Sequence, residues 1–119
     1  PTLSPRFAGD DAPGTIHLAA YMDQELAGCV TFIRSPFEGR PAFQVRGMAV
    51  DTGCQGYGIG RALLAAAEKV VGQDEASHLW WCNARASAVG FYQKLGWQVV
   101  SEEFDVPGIG PHARMICRF

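Results

Sequence analysis

The sequence predicts an α+β fold, a mixed and mostly antiparallel sheet with two helices against it, in the order β-β-β-α-β-α-β-β. Three observations carry this reading. Through residues 16–50 the apolar residues fall in short β-rich runs divided by turn residues. From Ile59 onward the apolar period lengthens to that of a helix. A compact β-type run at 78–83 then follows that helix, and a strand, a helix and a strand in succession imply a right-handed crossover between two parallel neighbours.

Residues 1–15 carry Pro, Gly and Asp with little apolar periodicity and are expected to be mostly irregular. Runs at 16–22 and 26–34 flank Asp23-Gln24-Glu25, which reads as a hairpin turn. Residues 35–41 hold two prolines and a glycine and form a loop before a third run at 42–50. Ile59, Leu63, Ala67 and Val70 then recur at three- and four-residue steps, widened by Leu64 and Val71, and Gly72 is a natural stop. In the run at 78–83, neighbouring Trp80 and Trp81 must point to opposite faces, one to the core and one to a cleft. Ser87 can cap a second helix with Ala88, Phe91 and Leu95 facing inward and Gly96 closing it. Strands at 97–106 and 113–119 end the chain, separated by a loop at 107–112. The central parallel pair is 42–50 with 78–83, and residues 1–119 form one domain without internal repeats.

A formal charge of −2, with Lys and Arg scattered, argues against nucleic acid as a partner. No apolar stretch approaches the roughly 20 residues that span a bilayer, and the N-terminus lacks signal-peptide zones, so a cytoplasmic location is expected. Cys29, Cys54, Cys82 and Cys117 stand apart with no C-x-x-C pair, which favours reduced thiols and no bound metal. The chain opens on Pro1, which fits either a trimmed initiator Met or a piece of something longer.

The loop Gln55-Gly56-Tyr57-Gly58-Ile59-Gly60-Arg61 lies between a strand and an amphipathic helix. Its glycines permit positive φ and close approach of a bulky group. The helix start adds unpaired N–H groups and the positive end of the dipole, a ready anion site, and Arg61 can add a charge-assisted contact. A Walker-type loop is excluded, because Arg61-Ala62 rather than Lys and Ser/Thr follows Gly60. A dinucleotide fingerprint also fails, since the third glycine position falls on Arg61 or Leu63. The remaining readings are a site for another phosphate ligand and a plain strand-to-helix turn.

Gln55-x-x-Gly58-x-Gly60, preceded by Met48-Ala49-Val50 and followed by an Ala/Leu-rich helix, resembles motif A of the GNAT N-acetyltransferase superfamily. A second stretch, Asn83-Ala84-Arg85 with Ala88 to Trp97, is similar to that family's N-x-x-A-x-x-F-Y-x-K-x-G-F signature, with Trp97 in place of the usual Phe. Glu102-Glu103-Phe104 and the run from Gly108 to Met115 are similar to the ending of the ElaA/YjcF-like branch, with Gly110 as an extra residue. The resemblance covers roughly residues 16–119. It implies a GNAT-like sheet and direct transfer of an acetyl group from acetyl-coenzyme A to an amine, which can be a small molecule or a protein amine. The backbone of Gln55, Gly56, Tyr57, Gly58, Ile59, Gly60 and Arg61 would hold the pyrophosphate, and Ala49, Val50 and Asn83 the pantetheine arm. Asn83 can equally be a strand-end cap.

An amine near pKa 10.4 costs roughly 4–5 kcal/mol to deprotonate at neutral pH, so a general base is useful, and the leaving thiolate needs a proton donor. By match to the family, Tyr92 is the candidate acid; its phenol is expected beside the core stripe rather than within it, and the alternative is a buried structural Tyr. His112, in the last loop, fits the branch motif as base, with His17, Glu102 and Glu103 as alternatives. Cys82 suggests a nucleophile, but a small buried hydrophobe is the commoner role.

Members of this family usually begin with a strand and two helices before the position equivalent to Ile16, and only 15 residues precede it here. The expectation is a fold lacking most of that segment, with the strand at 16–22 left as an edge and a homodimer covering it. Two functions of different class follow: an active N-acetyltransferase, and a coenzyme A-binding or interaction module that has lost catalysis.

Overall fold

A short strand, β1 (Thr2–Ser4), precedes the first expected one and pairs antiparallel with β2 (Thr15–Met22), Thr2 opposite Tyr21 and Ser4 opposite Ala19. The structure, a computed structural model, describes residues 2–4, 15–51, 53, 56, 58–71 and 75–118. β1 corrects two expectations: an initial strand is present, and it covers the outer edge of β2 from Ala19 to Tyr21. The self-association argued from a bare β2 edge loses that part of its basis. The expected irregularity of 5–14 lies outside the described residues.

Asp23 and Gln24 both adopt positive φ, 53° and 70°, a two-residue turn whose twist matches the strands it joins. It returns β2 onto β3 (Glu25–Arg34) with Met22 opposite Glu25, so Glu25 belongs to the strand. β4 (Phe43–Val50) continues the antiparallel meander. α1 (Ile59–Val71) then crosses to β5 (Leu79–Arg85), which runs parallel to β4 as expected. A 3-10 turn over Ala86–Ala88 leads into α2 (Val89–Lys94), and no side chain caps either start, so Ser87 is not the expected cap. Gly96, at φ 95°, closes the second helix.

The single strand expected at 97–106 is two, β6 (Gln98–Val99) and β7 (Phe104–Val106), both on the same edge of β8 (Gly110–Arg118). Between them the Ser101 hydroxyl accepts the Arg114 N–H at 2.8 Å, and Val100 N–H donates to the Arg114 carbonyl at 2.9 Å. A side-chain oxygen thus replaces a ladder partner while residues 100–103 bulge away. The expected loop at 107–112 shrinks to a tight turn, Ile109 N–H to Val106 carbonyl at 2.9 Å with Gly108 at φ 81°. His112 consequently sits on β8, not in a loop.

Among the described residues the strand order is β1-β2-β3-β4-β5-β8-β6, with β7 also on β8. One sheet face carries the helices and the main core. There Trp80, Phe32, Leu18, Leu63 and Met115 are fully buried, each large side chain stabilising by roughly 1.5–3 kcal/mol. Trp80 meets Phe32 edge-on at 4.8 Å. Trp81 takes the other face as alternation requires, but it packs on Phe37 at 5.7 Å and its indole N–H donates to the Ser35 carbonyl at 3.0 Å. It lines neither cleft described below, contrary to expectation.

Candidate active site

The parallel ladder between β4 and β5 lasts for two pairs, Phe43 with Trp80 and Gln44 with Trp81. Beyond them the strands part. A bulge where β4 pairs with β3, between the pairs Thr31–Arg46 and Cys29–Ala49, coincides with Gly47 at φ 66° and turns β4 aside. The gap is a cleft of about 730 Å³ lined from both strands, including Met48 and Ala49 on one side and Cys82 to Arg85 on the other. Successive β5 residues point to opposite faces, and Cys82, Asn83, Ala84 and Arg85 all line it. The cleft is therefore a slot through the sheet. A second cleft of about 770 Å³ adjoins it on the helix side, sharing Met48 and Ala88. Both volumes lie within the ordinary range of ligand sites.

The start of α1 forms the wall of the second cleft. Gly58 takes the N-cap position: its carbonyl accepts the Ala62 N–H at 2.9 Å, and it has no side chain to cap the amides that follow. The first turn holds no acidic residue. Gly56 and Gly58 adopt φ 91° and 76°, and among the described residues nothing lies within 4 Å of where a Cβ would stand. Gly60 is glycine for another reason. A Cβ there would lie 2.5 Å from Phe91 Cζ, so the missing side chain lets the two helices meet, while Gly60 also lines the cleft. Ile59 is buried beneath the turn. Arg61 is exposed, lines the cleft with Lys94, and donates to the Lys94 carbonyl at 3.4 Å. These features fit an anionic ligand such as a pyrophosphate. Gln55 and Tyr57 lie outside the described residues.

Tyr92 and Phe91 exchange their expected places. Tyr92 is 7% exposed and belongs to the core, edge-on to Trp97 at 5.1 Å, while Phe91 is 38% exposed. On a six-residue helix lying at the sheet margin, the single inward position falls on Tyr92. Its side chain still reaches the slot wall beside Cys82. Burial, with a smaller contribution from Cys82, raises the Tyr92 phenol well above the ordinary tyrosine value. Burial likewise pushes the Cys82 thiol up to about 12, which disfavours the thiolate that a nucleophile would need.

His112 lines the slot from the opposite face. Its Nδ1 lies 2.9 Å from the Gly110 carbonyl, and since a carbonyl only accepts, Nδ1 carries the proton and Nε2 is left as acceptor. The ring stacks on Phe104 at 6.1 Å. Asn83 is exposed and lines the slot, its Oδ1 accepting from Arg114 Nε at 3.2 Å. Ala49 lines the slot and Val50 the helix-side cleft. His17 is not brought to either cleft; its Nδ1 pairs with Thr31 Oγ1 at 2.8 Å on β2 and β3. Glu102 and Glu103 are exposed and line neither.

Sequence reasoning passed over Arg46, Arg85 and Lys94, which the fold brings to the cleft walls. Arg85 stood inside the Asn83-Ala84-Arg85 motif, and its alternation with Ala84 was the available signal. Arg46 had no comparable sign.

Residues 3–119 match the acetyltransferase (GNAT) domain family. The uncharacterized N-acetyltransferase YitI of Bacillus subtilis is 35% identical over 116 residues, covering 92% of this chain and 75% of that protein. Escherichia coli ElaA shares the fold at TM-score 0.69 and 22% identity, over 92% of this chain and 72% of its own. A GNAT acetyltransferase from Elizabethkingia anophelis with acetyl-CoA bound also superimposes at TM-score 0.69 with 18% identity, over 99% of this chain and 97% of that one. With the split parallel pair, the glycine-led helix start and this match over nearly the whole sequence, the chain belongs to the GNAT acetyltransferase family.

Proposed function

We propose that this chain is an acetyl-CoA-dependent N-acetyltransferase, a single acyltransferase domain over residues 1–119, acting on the amine of a separate acceptor. The observation that carries the reading is the slot through the sheet between β4 and β5, which opens on the helix side beside the start of α1. The N–H groups of Gly58 to Arg61, with the Arg61 and Lys94 charges, hold the pyrophosphate. Pantetheine follows β4 past Val50 and Ala49 into the slot, with Asn83 across from it. That a relative of the same fold carries acetyl-CoA supports this assignment of the donor.

The two faces of the slot divide the chemistry. His112 Nε2, on the outer face, takes the proton as the amine nitrogen attacks the thioester carbonyl. Tyr92, on the helix face, meets the departing sulfur. Its raised pKa keeps the phenol protonated, so it acts as a hydrogen-bond donor that steadies the thiolate as the C–S bond breaks. Holding both reactants in one slot supplies much of the remaining acceleration.

Isothermal titration with acetyl-CoA tests the donor site, and thiol release across a panel of amines tests turnover. Micromolar binding with thiol release is expected. Absence of binding overturns the whole reading, while binding without release from any amine leaves a coenzyme A-binding module in its place.

A further inference from the structure

The outer face of the slot is cationic in a chain that is acidic overall. The sequence holds 12 Asp and Glu against 10 Lys and Arg, yet among the described residues no carboxylate lines either cleft. Arg46 and Arg85 both line the slot, exposed, on the face that alternation assigns to Asn83 and His112. Their guanidinium groups make no ion pair or hydrogen bond among the described residues. A third arginine stands beside them. Arg114 is laid over the rings of Trp81 at 5.5 Å and Phe104 at 5.9 Å, and its Nε is tied to Asn83. The donor's phosphates have cations of their own in Arg61 and Lys94, around the start of α1. The arginines of the outer face therefore answer to the other substrate.

We propose that the acceptor is a small amine that also bears an acid group, a carboxylate or a phosphate, which Arg46 and Arg85 hold while the amine points into the slot. This rests on the acyltransferase reading above. A guanidinium presents a planar pair of donors that matches either acid group. The same field repels polyamines and other polycations, which gives the site discrimination as well as affinity. His112 Nε2 lies on this face, where an amine anchored by its acid group is presented for deprotonation.

Matched acceptors test it: β-alanine against propylamine, O-phosphoethanolamine against ethanolamine, and spermidine as polycation, with thiol release measured at low and high salt. The acid-bearing member of a pair is expected to show about 10–100-fold higher kcat/KM, the worth of one charge-assisted contact, and the advantage is expected to shrink with salt. Which pair responds tells carboxylate from phosphate. Arg85→Gln and Arg46→Gln are expected to erase the preference while KM for acetyl-CoA stays within about twofold, because each contact is worth a tenfold step and the donor has other cations. Equal or better use of propylamine, ethanolamine or spermidine overturns the inference. So does a rise in KM for acetyl-CoA with the acceptor preference intact, which assigns these arginines to the donor. Calorimetry of β-alanine and O-phosphoethanolamine with the chain alone reads the acceptor side separately. If acetyl-CoA fails to bind, the functional reading falls; if neither acid-bearing amine binds, this inference falls by itself.

Discussion

Gly28 lies where α1 packs against the sheet, and Gly28→Ala probes that contact. A Cβ at this buried position would stand 2.9 Å from the Ala49 carbonyl oxygen, 3.0 Å from Ile59 Cγ2 and 3.3 Å from Leu63 Cδ1. The first neighbour is backbone and the second belongs to the first residue of α1, so neither can swing aside as a flexible side-chain end would. Overpacking of this kind costs roughly 1–3 kcal/mol. The reduced entropy of the unfolded chain returns about 0.4–1 kcal/mol, which leaves a net loss of roughly 0.5–2 kcal/mol. For a chain of this size that corresponds to a fall in Tm of about 2–10 °C, read by circular dichroism and by urea melts. Because both displaced groups border the donor site, the acetyl-CoA Kd is expected to rise with it. Gly90→Ala is the control: nothing lies within 4 Å of its Cβ position and it sits in α2, so it is expected to stabilise by about 0.5–1 kcal/mol. An unchanged Tm and Kd in Gly28→Ala refutes the close-approach reasoning.

Other predictions concern the site directly. Gly58→Val forces a β-branched residue to φ 76°, so acetyl-CoA binding is expected to weaken by 10-fold or more, and the backbone strain of about 1–3 kcal/mol is expected to lower Tm as well. Tyr92→Phe is expected to keep donor affinity and lower kcat; normal turnover refutes the hydrogen-bond role. His112→Gln is expected to lower kcat about 10²–10⁴-fold, with the loss recovered in part at high pH, where the amine deprotonates unaided; a pH-independent loss refutes the base assignment. Stability is expected to fall on the alkaline side. The Cys82 thiol is raised from 9.0 to about 12 by burial, and Tyr92 is raised too. Their contribution is full below the unfolded values and is lost as pH climbs toward the folded ones, because the unfolded chain gives up its protons first. For Cys82 the loss by pH 10.5 is roughly 2 kcal/mol. Urea midpoints from pH 7 to 10.5 should drop more steeply in the wild type than in Cys82→Ala, and parallel curves refute the assignment.

The meander, the crossover helix and the parallel pair were legible because each has a period and a punctuation mark in the sequence. The turn into α1 was legible because glycines at 56, 58 and 60 straddle the start of an amphipathic period. What escaped had tertiary causes. β1 is three residues long, too short for periodicity to register. β6 and β7 separate because the Ser101 hydroxyl stands in for a backbone group, which no pattern announces. Phe91 and Tyr92 traded places because a six-residue helix at the sheet margin has one inward position, and its phase is set by what it packs against. The reason position 60 must be glycine escaped for a related cause: the group that excludes a side chain there is Phe91, thirty-one positions along the chain and adjacent in space.

The opening between β4 and β5 gives the sheet two doors onto one passage. In the proposed reaction the nucleotide donor comes and goes by the helix side and the acceptor by the other, so neither blocks the other's exit. Kinetics without an obligatory order follow, and an acetylated product can depart while coenzyme A is still in place. An inhibitor that joins both substrates cannot simply be laid over the surface. It must be threaded, with a slender middle, through a gap bounded by Met48 and Ala49 on one side and Cys82 to Arg85 on the other.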